Sequence, residues 1–180
     1  MASESLVTNQ STPESNAALI GQQFLRLYLV PDTKVLLPID ELVEVLTIPI
    51  GQIVPIPHVP PWVMGVYNWR GEILWMIDLG QLVGLTPWHQ QNVNSSSYMS
   101  VVLNGDLKDE EVEQSHAQVG LVVTKVEDLE WCDPELIQDL PSSMMAKELA
   151  SFLQGYWLKT NGEMLVVLDC EAISAAMPKP

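Results

Sequence analysis

The chain has 180 residues, 47% of them hydrophobic and only 17% charged, a balance that excludes general disorder and supplies one ample core or two small cores packed together. Its 23 acidic and 8 basic side chains leave a formal net charge of −15, so there is no positive footprint for a phosphate backbone or an anionic lipid surface, and nucleic acid is excluded as a partner. Two cysteines without CxxC spacing and three scattered histidines imply neither a disulfide framework nor a metal centre, and nothing in the composition asks for a cofactor.

Residues 1 to about 20 are rich in Ser, Thr, Asn and Glu, carry Pro13 and show no sustained period, so they are expected to be a disordered tail before a folded domain over 21–176. This tail lacks the basic region and apolar core of a secretory signal. No apolar run approaches the roughly 20 residues that span a bilayer, so a cytoplasmic protein without direct membrane insertion is expected. Gln23 to Val30 places Phe24, Leu25, Leu27, Tyr28 and Leu29 around Arg26 and predicts a first strand. Pro31-Asp32-Thr33-Lys34 predicts a turn, and Val35 to Ile39 a second strand. Asp40 to Leu46 fits either one helical turn or a bend into another strand; a strand running through a bend is the expectation. Between Ile53 and Trp62 the prolines remove backbone donors, which predicts an edge or an extended connector.

The stretch Gly65-Val66-Tyr67-Asn68-Trp69-Arg70-Gly71-Glu72-Ile73-Leu74-Trp75-Met76-Ile77-Asp78-Leu79 reads as two strands about a charged turn, with Trp75 entering the core and Trp69 standing near the tip. A copy recurs from Gly155 to Asp169, where Gly162-Glu163 and Asp169 match Gly71-Glu72 and Asp78 at an offset of 91 (162 − 71 and 169 − 78). Upstream of each hairpin, Pro38 to Leu46 aligns with Leu121 to Leu129 at an offset of 83 (121 − 38). Two such pairs predict a duplicated β-unit, superposing residues 35 to 79 on 118 to 169.

After the first hairpin, Asp78 reads as the N-cap of a short helix that Gly84 ends, and Asp169-Cys170-Glu171-Ala172-Ile173 repeats that design. Residues 86 to 97 are polar and predict a loop, Tyr98 to Leu103 a strand, and Asn104 to Gln118, with Asp106, Asp109, Glu110, Glu111 and Glu113, a mobile acidic excursion. Val119 to Val126 resumes the core. Asp133-Pro134-Glu135-Leu136 and Pro141-Ser142-Ser143 are loop chemistry, and Ala146 to Gln154 predicts a brief helical turn.

Asp78 and Asp169 occupy equivalent repeat positions and so suggest, as an alternative, a small-ligand-binding or enzymatic barrel working through a carboxylate pair. Each also ends an apolar strand and fits a helix cap, the commoner use of Asp there. No G-x-S-x-G elbow, no Cys with a nearby His and no Gly-rich phosphate cradle accompanies them. The six tryptophans and Arg70 pull toward protein binding, because Trp and Arg are the usual anchors of an interface.

Gly65-Val66-Tyr67-Asn68-Trp69-Arg70-Gly71, followed by Ile77-Asp78-Leu79, resembles the G-V-x-N-L-R-G and I/V-D-L signature of the CheW-like family, adaptors of bacterial chemosensory systems related to the regulatory domain of their histidine kinase. The likeness runs from about Gln23 to Ala172 and takes in the Phe24 to Tyr28 opening, the Pro38-Ile39-Asp40 bend and the proline-rich lead-in. It implies an all-β fold of two SH3-like five-stranded β-barrels packed on a shared hydrophobic core, with short helices. It implies a non-enzymatic scaffold joining the cytoplasmic tip of a methyl-accepting receptor to a CheA-like histidine kinase regulatory domain, in chemotaxis, phototaxis or pilus-dependent motility, recruited to membrane-associated receptor arrays. By position, Arg70 with its neighbours Gly65, Asn68, Trp69 and Gly71 matches the family's partner-contacting hairpin. Leu42, Glu44 and Val45 match the edge that docks the kinase domain. This chain departs from the pattern with Trp69 where Leu is usual, with a long acidic loop after Asn104, and with no basic or aromatic anchor between Gln138 and Ser143.

Overall fold

The computed structural model describes residues 21–92, 94–104, 118–139 and 150–177; the expected tail, the acidic loop at 105–117, the Pro141-Ser142-Ser143 loop and residues 146–149 of the expected helical turn lie outside them, and Leu153 and Gln154 of that turn belong to a strand instead. The described chain forms ten strands in two five-stranded sheets. One sheet, the first barrel, has the order β3 (Leu42–Pro49), β6 (Ser97–Leu103), β7 (Gln118–Val123), β5 (Glu72–Asp78), β4 (Val63–Trp69). The other, the second barrel, has the order β8 (Lys125–Cys132), β1 (Gln22–Leu29), β2 (Thr33–Pro38), β10 (Met164–Leu168), β9 (Leu153–Leu158). Two helices, α1 (Leu79–Leu82) and α2 (Cys170–Ala175), follow the hairpins.

The two strand orders are the same pattern, with β3, β4 and β5 replaced by β8, β9 and β10. The offset of 83 carries Leu42–Pro49 onto Lys125–Cys132, and that of 91 carries Asp78 onto Asp169. The boundaries of the expected unit need correction. Val35 and Leu36 pair in parallel with Val166 and Val167 of the second hairpin, while Val119 to Val122 pair in parallel with Trp75 to Asp78 of the first. Each barrel is therefore completed by two strands from the other half of the sequence, and the repeating unit is 42–78 against 125–169. Lesser corrections concern Thr33 and Lys34, which belong to β2 rather than to the turn. Ile39–Glu41 is a 3-10 turn, and it makes the bend before β3.

Each sheet closes on itself through its outer strands. Beyond β3, Val54 exchanges two backbone hydrogen bonds with Val66 of β4 (2.8 and 2.9 Å); beyond β8, Gln138 does the same with Tyr156 of β9 (2.8 and 2.9 Å). A glycine faces the closing segment in both cases. A Cβ on Gly65, at φ +140°, would lie 2.1 Å from the Val54 carbonyl oxygen, and one on Gly155 2.5 Å from that of Gln138. Both closures require bare backbone there.

Side-chain alternation then divides the apolar residues into three cores. Ile48, Trp69, Leu74, Met76, Val102 and Val122 fill the first barrel, and Phe24, Leu36, Cys132, Leu165 and Val167 the second. The opposite faces, led by Leu25, Leu27, Leu29, Val101, Leu121, Val123, Val166 and Ile77, pack with both helices into the larger core between the barrels. Burying one such Leu or Ile is worth about 1.5–3 kcal/mol, so this shared core makes the two barrels one unit.

Candidate functional site

The hairpin between β4 and β5 turns through Arg70 at φ +56° and Gly71 at φ +88°, the left-handed pair of a two-residue turn whose first position ordinarily prefers Asn or Gly. An arginine in that conformation costs on the order of 1 kcal/mol, so the local structure has to hold it. Three contacts do so. The Gly71 amide donates to Asn68 Oδ1 (3.0 Å), the guanidinium lies 5.0 Å from the Trp69 ring centroid, and Arg70 Nη2 pairs with Glu44 Oε2 on β3. The other oxygen of that carboxylate, Glu44 Oε1, accepts from Trp69 Nε1 at 2.6 Å. Since β3 and β4 are the outer strands of the sheet, this latch closes the first barrel at its hairpin end, as the Val54–Val66 bridge closes it farther along. The Arg70 side chain is 67% exposed and that of Glu44 26%, so the latch is presented to solvent while Trp69 beneath it is buried. Val43, Val45 and Ile73 beside it are exposed apolar residues.

The second barrel also joins an acid, a cation and an indole at its hairpin end, from other positions in the register. Lys159, after β9, donates to Glu130 of β8 (3.0 and 3.1 Å) and lies 5.4 Å from the Trp157 ring centroid. Glu130 is also held by Arg26 Nη1 (2.6 Å), and Arg26 pairs through Nε with Glu127 (2.8 Å) and through Nη2 with Asp128 (3.3 Å). Lys34 pairs with Glu163, which lies 3.9 Å from Lys159. The Lys34 bond holds the Glu163 carboxyl below the usual carboxylate range, and the Glu163 bond raises Lys34 above the usual lysine value.

The groups that could do chemistry are committed elsewhere. Asp78 Oδ1 accepts from the Gln81 amide (3.1 Å) and Oδ2 from the Trp88 amide (2.7 Å); burial pushes its pKa up, against the opposing pull of these bonds. Asp169 Oδ1 accepts from the Ala172 amide (2.9 Å). Both carboxylates thus cap helices at equivalent places, the structural use of Asp anticipated above. Burial pushes the Cys132 thiol up to about 11 and the Cys170 thiol up to about 12, so neither is a thiolate near neutral pH. Among the described residues no three His, Cys, Asp or Glu side chains gather as metal ligands, and no helix is long and apolar enough to cross a membrane.

The structure brings Glu44, Asn68, Trp69, Arg70 and Gly71 together, whereas the sequence reading assigned Glu44 to one partner face and Arg70 to another. Trp69 is not displayed at the tip but buried inside the barrel at 8% exposure. Leu42 turns toward the core between the barrels, and Val45 shares the outward face of β3 with Val43, so these two flanks of Glu44 do not form one surface. Gly65 serves the barrel closure. Sequence reasoning missed Lys159, Glu130 and Arg26; the signal available was a Trp followed closely by a base at both hairpin tips.

A family model described as CheW-like domain matches residues 25–177. Among solved structures, the crystal structure of the scaffolding protein TtCheW from Thermoanaerobacter tengcongensis is similar, at 21% identity over 82% of this chain and 88% of that one, with a TM-score of 0.64. That likeness is one of fold. No curated protein matches.

Proposed function

This chain belongs to the CheW-like domain family, and from that premise we propose that it is a non-enzymatic scaffold in chemosensory signalling, joining a receptor's cytoplasmic tip to a CheA-like histidine kinase in the cytoplasm. The observation that carries the reading is the latch: a strained, exposed arginine held by an acid and an indole, with exposed Val43, Val45 and Ile73 around it. Folding alone would be served by Asn or Gly at position 70, so an arginine kept there in a strained backbone favours recognition. On this reading Arg70 contacts the receptor's helical hairpin, whose apolar side lies against exposed apolar residues with polar groups at the rim. The outward face of β3, led by Val45, meets the kinase's regulatory domain. The output, whether chemotaxis, phototaxis or pilus motility, follows from the receptor it serves.

The test is titration of folded variants with a receptor-tip fragment and, separately, with the kinase regulatory domain. Arg70→Ala is expected to lower receptor affinity about thirtyfold, the roughly 2 kcal/mol of an interface anchor, while melting within a few degrees of the parent. Arg70→Lys should lose part of that affinity, because an ammonium cannot reproduce the planar fork. Val45→Asp should weaken kinase binding and leave the latch intact. Unchanged receptor affinity in folded Arg70→Ala would remove Arg70 from the interface.

A further inference from the structure

We propose that Trp69 is a positioning residue for Arg70, acting through Glu44. The Glu44 carboxylate is shared between two unlike donors: the buried indole takes Oε1 at 2.6 Å, and the exposed guanidinium takes Oε2. Trp69 is 8% exposed and packs in the interior with Ile48, Leu74, Met76, Val102 and Val122, so its Nε1–H is fixed by the barrel core. A fixed donor on one oxygen sets the plane of the carboxylate, and that plane sets where the second oxygen can receive a flexible arginine. The indole face, 5.0 Å from the Arg70 guanidinium carbon, limits the remaining freedom. Trp69 thus connects the packed interior of the barrel to the orientation of a side chain that is 67% exposed. An aliphatic residue at 69 would fill the interior but give Glu44 no second donor, leaving both its carboxylate and Arg70 free to turn.

The second barrel supports the need for such a fixer. There the acid that receives the hairpin cation Lys159 is Glu130, at the register position of Leu46, and it is held by a second cation, Arg26 Nη1 at 2.6 Å, instead of an indole. Trp157 lies under Lys159 at 5.4 Å but makes no bond to the acid. The two barrels anchor the carboxylate that meets the hairpin cation by different chemistry. The first uses a neutral donor, which fixes the acid without cancelling the charge that Arg70 pairs with.

The ordering of Arg70 tests the proposal without any partner. In the full-length protein labelled with 15N, the order parameter of the Arg70 Nε–Hε group is measured in the parent, Trp69→Phe, Trp69→Leu and Glu44→Gln. Phenylalanine keeps the ring in the core and the stacking face but removes the donor. The order parameter is expected to fall from the rigid range to below about 0.6 in both Trp69 variants. In Glu44→Gln, whose neutral amide is a weaker acceptor than the carboxylate, the indole proton assigned to Trp69 should move upfield while those of the other tryptophans stay in place. An Arg70 equally ordered in a folded Trp69→Phe overturns the proposal. Should that variant fail to fold, an indole proton unmoved by Glu44→Gln overturns it as well.

The consequence for binding rests on the adaptor reading above, with Trp69→Phe expected to give about fivefold weaker receptor binding, part of the loss in Arg70→Ala. The two claims separate cleanly. Receptor binding lost in Arg70→Ala with Arg70 still ordered in Trp69→Phe keeps the adaptor site and overturns the positioning role. Arg70 loosened in Trp69→Phe with receptor binding unchanged in Arg70→Ala does the reverse.

Discussion

The two hairpin ends of this molecule are built from the same parts and differ in what surrounds them. At the first, Arg70 and Glu44 form one solvent-facing pair over a buried tryptophan. At the second, Lys159 and Glu130 are embedded in a chain of charges that runs through Arg26 to Glu127 and Asp128 and through Glu163 to Lys34, with the Arg26, Glu127 and Glu130 side chains only 16–17% exposed. The register explains the difference. Arg26 sits opposite Leu36 and so points into the second barrel, at the place Val102 occupies opposite Gly120 in the first. One barrel closes its mouth with an indole and leaves a cation displayed above it, and the other closes its mouth with an inward arginine and uses its surface cation to neutralise what remains. The two acid–cation contacts thus differ in burial: the first is displayed to solvent, as the recognition role proposed for Arg70 requires, and the second is enclosed among charges.

The largest expected effect tests the closure on which both ends depend. Gly65→Ala puts a Cβ 2.1 Å from the Val54 carbonyl oxygen at φ +140°, so both the contact and the backbone conformation oppose it. It should cost about 3 kcal/mol or more, with Gly155→Ala, at 2.5 Å from Gln138, costing about 1–2. At about 2–4 °C per kcal/mol for a chain of this size, the two melting temperatures should separate by several degrees. Equal losses would mean that the two closures are energetically alike, contrary to the geometry.

The charges come next. Arg26→Leu leaves Glu127, Asp128 and Glu130 without their shared cation and should destabilise the fold by about 2–3 kcal/mol, less than a fully buried pair because Arg26 keeps some solvent contact. Arg70→Ala, removing an exposed pair, should cost under about 1 kcal/mol in melting or denaturant titration. The pairing of a large stability effect at 26 with a small one at 70 is what assigns plug to the first residue and display to the second. Comparable losses would erase the distinction.

How far this contrast could be read beforehand depends on which part is local. The hairpins, the two Asp caps and the duplication follow from patterns within a few residues, and the sequence carried them as offsets of 83 and 91. The exchange of closing strands did not show, because Val35–Leu36 and Val119–Val122 are short apolar runs that fit either neighbour, and parallel pairing leaves no turn to mark it. The latch was half legible. Arg70 stands out as a scarce base at a turn, but its joining to Glu44 arises from barrel closure, which brings residues 26 positions apart into contact and has no sequence signature. Trp69 precedes the turn and so reads as a tip residue; the alternation of β4 instead turns it inward with Leu74 and Met76.

The caps offer a smaller contrast in the same direction. Asp78 is 3% exposed and satisfies two backbone amides, whereas Asp169 satisfies that of Ala172. Asp78→Ala should cost about 2 kcal/mol, since it leaves the Trp88 amide unpaired as well as uncapping α1, and Asp169→Ala about 1. Both are readable by thermal melting. A larger loss at Asp169 would place the more important cap in the second barrel.

The smallest expected effect is the pH response, and it has opposite signs in the two barrels. Glu163 is held below its ordinary range by its bond from Lys34, so its contribution to stability is present above the ordinary Glu value and is lost as pH falls through the lower, folded value. Lys34, raised by the same bond, contributes below the ordinary lysine value and loses that only as pH rises through its folded value, so it sets no acid limb of its own. In the first barrel burial raises Asp78, whose ionised form is therefore disfavoured in the fold; protonation there adds stability as pH falls through its raised value. The first barrel also carries Glu72 and Gln118 at the places of Glu163 and Lys34, an acid without the matching base. Lys34→Gln copies that state into the second barrel and can be followed by melting from neutral pH downward. The difference from the parent should be greatest near neutral pH and should close as pH falls through the lowered, folded value of Glu163, below which its carboxyl is protonated in folded and unfolded chains alike. A difference that persists into acid would show that Lys34 acts through the packing of its stem rather than its charge, and the acid sensitivity assigned to the second barrel would then have to lie elsewhere in the Arg26 cluster.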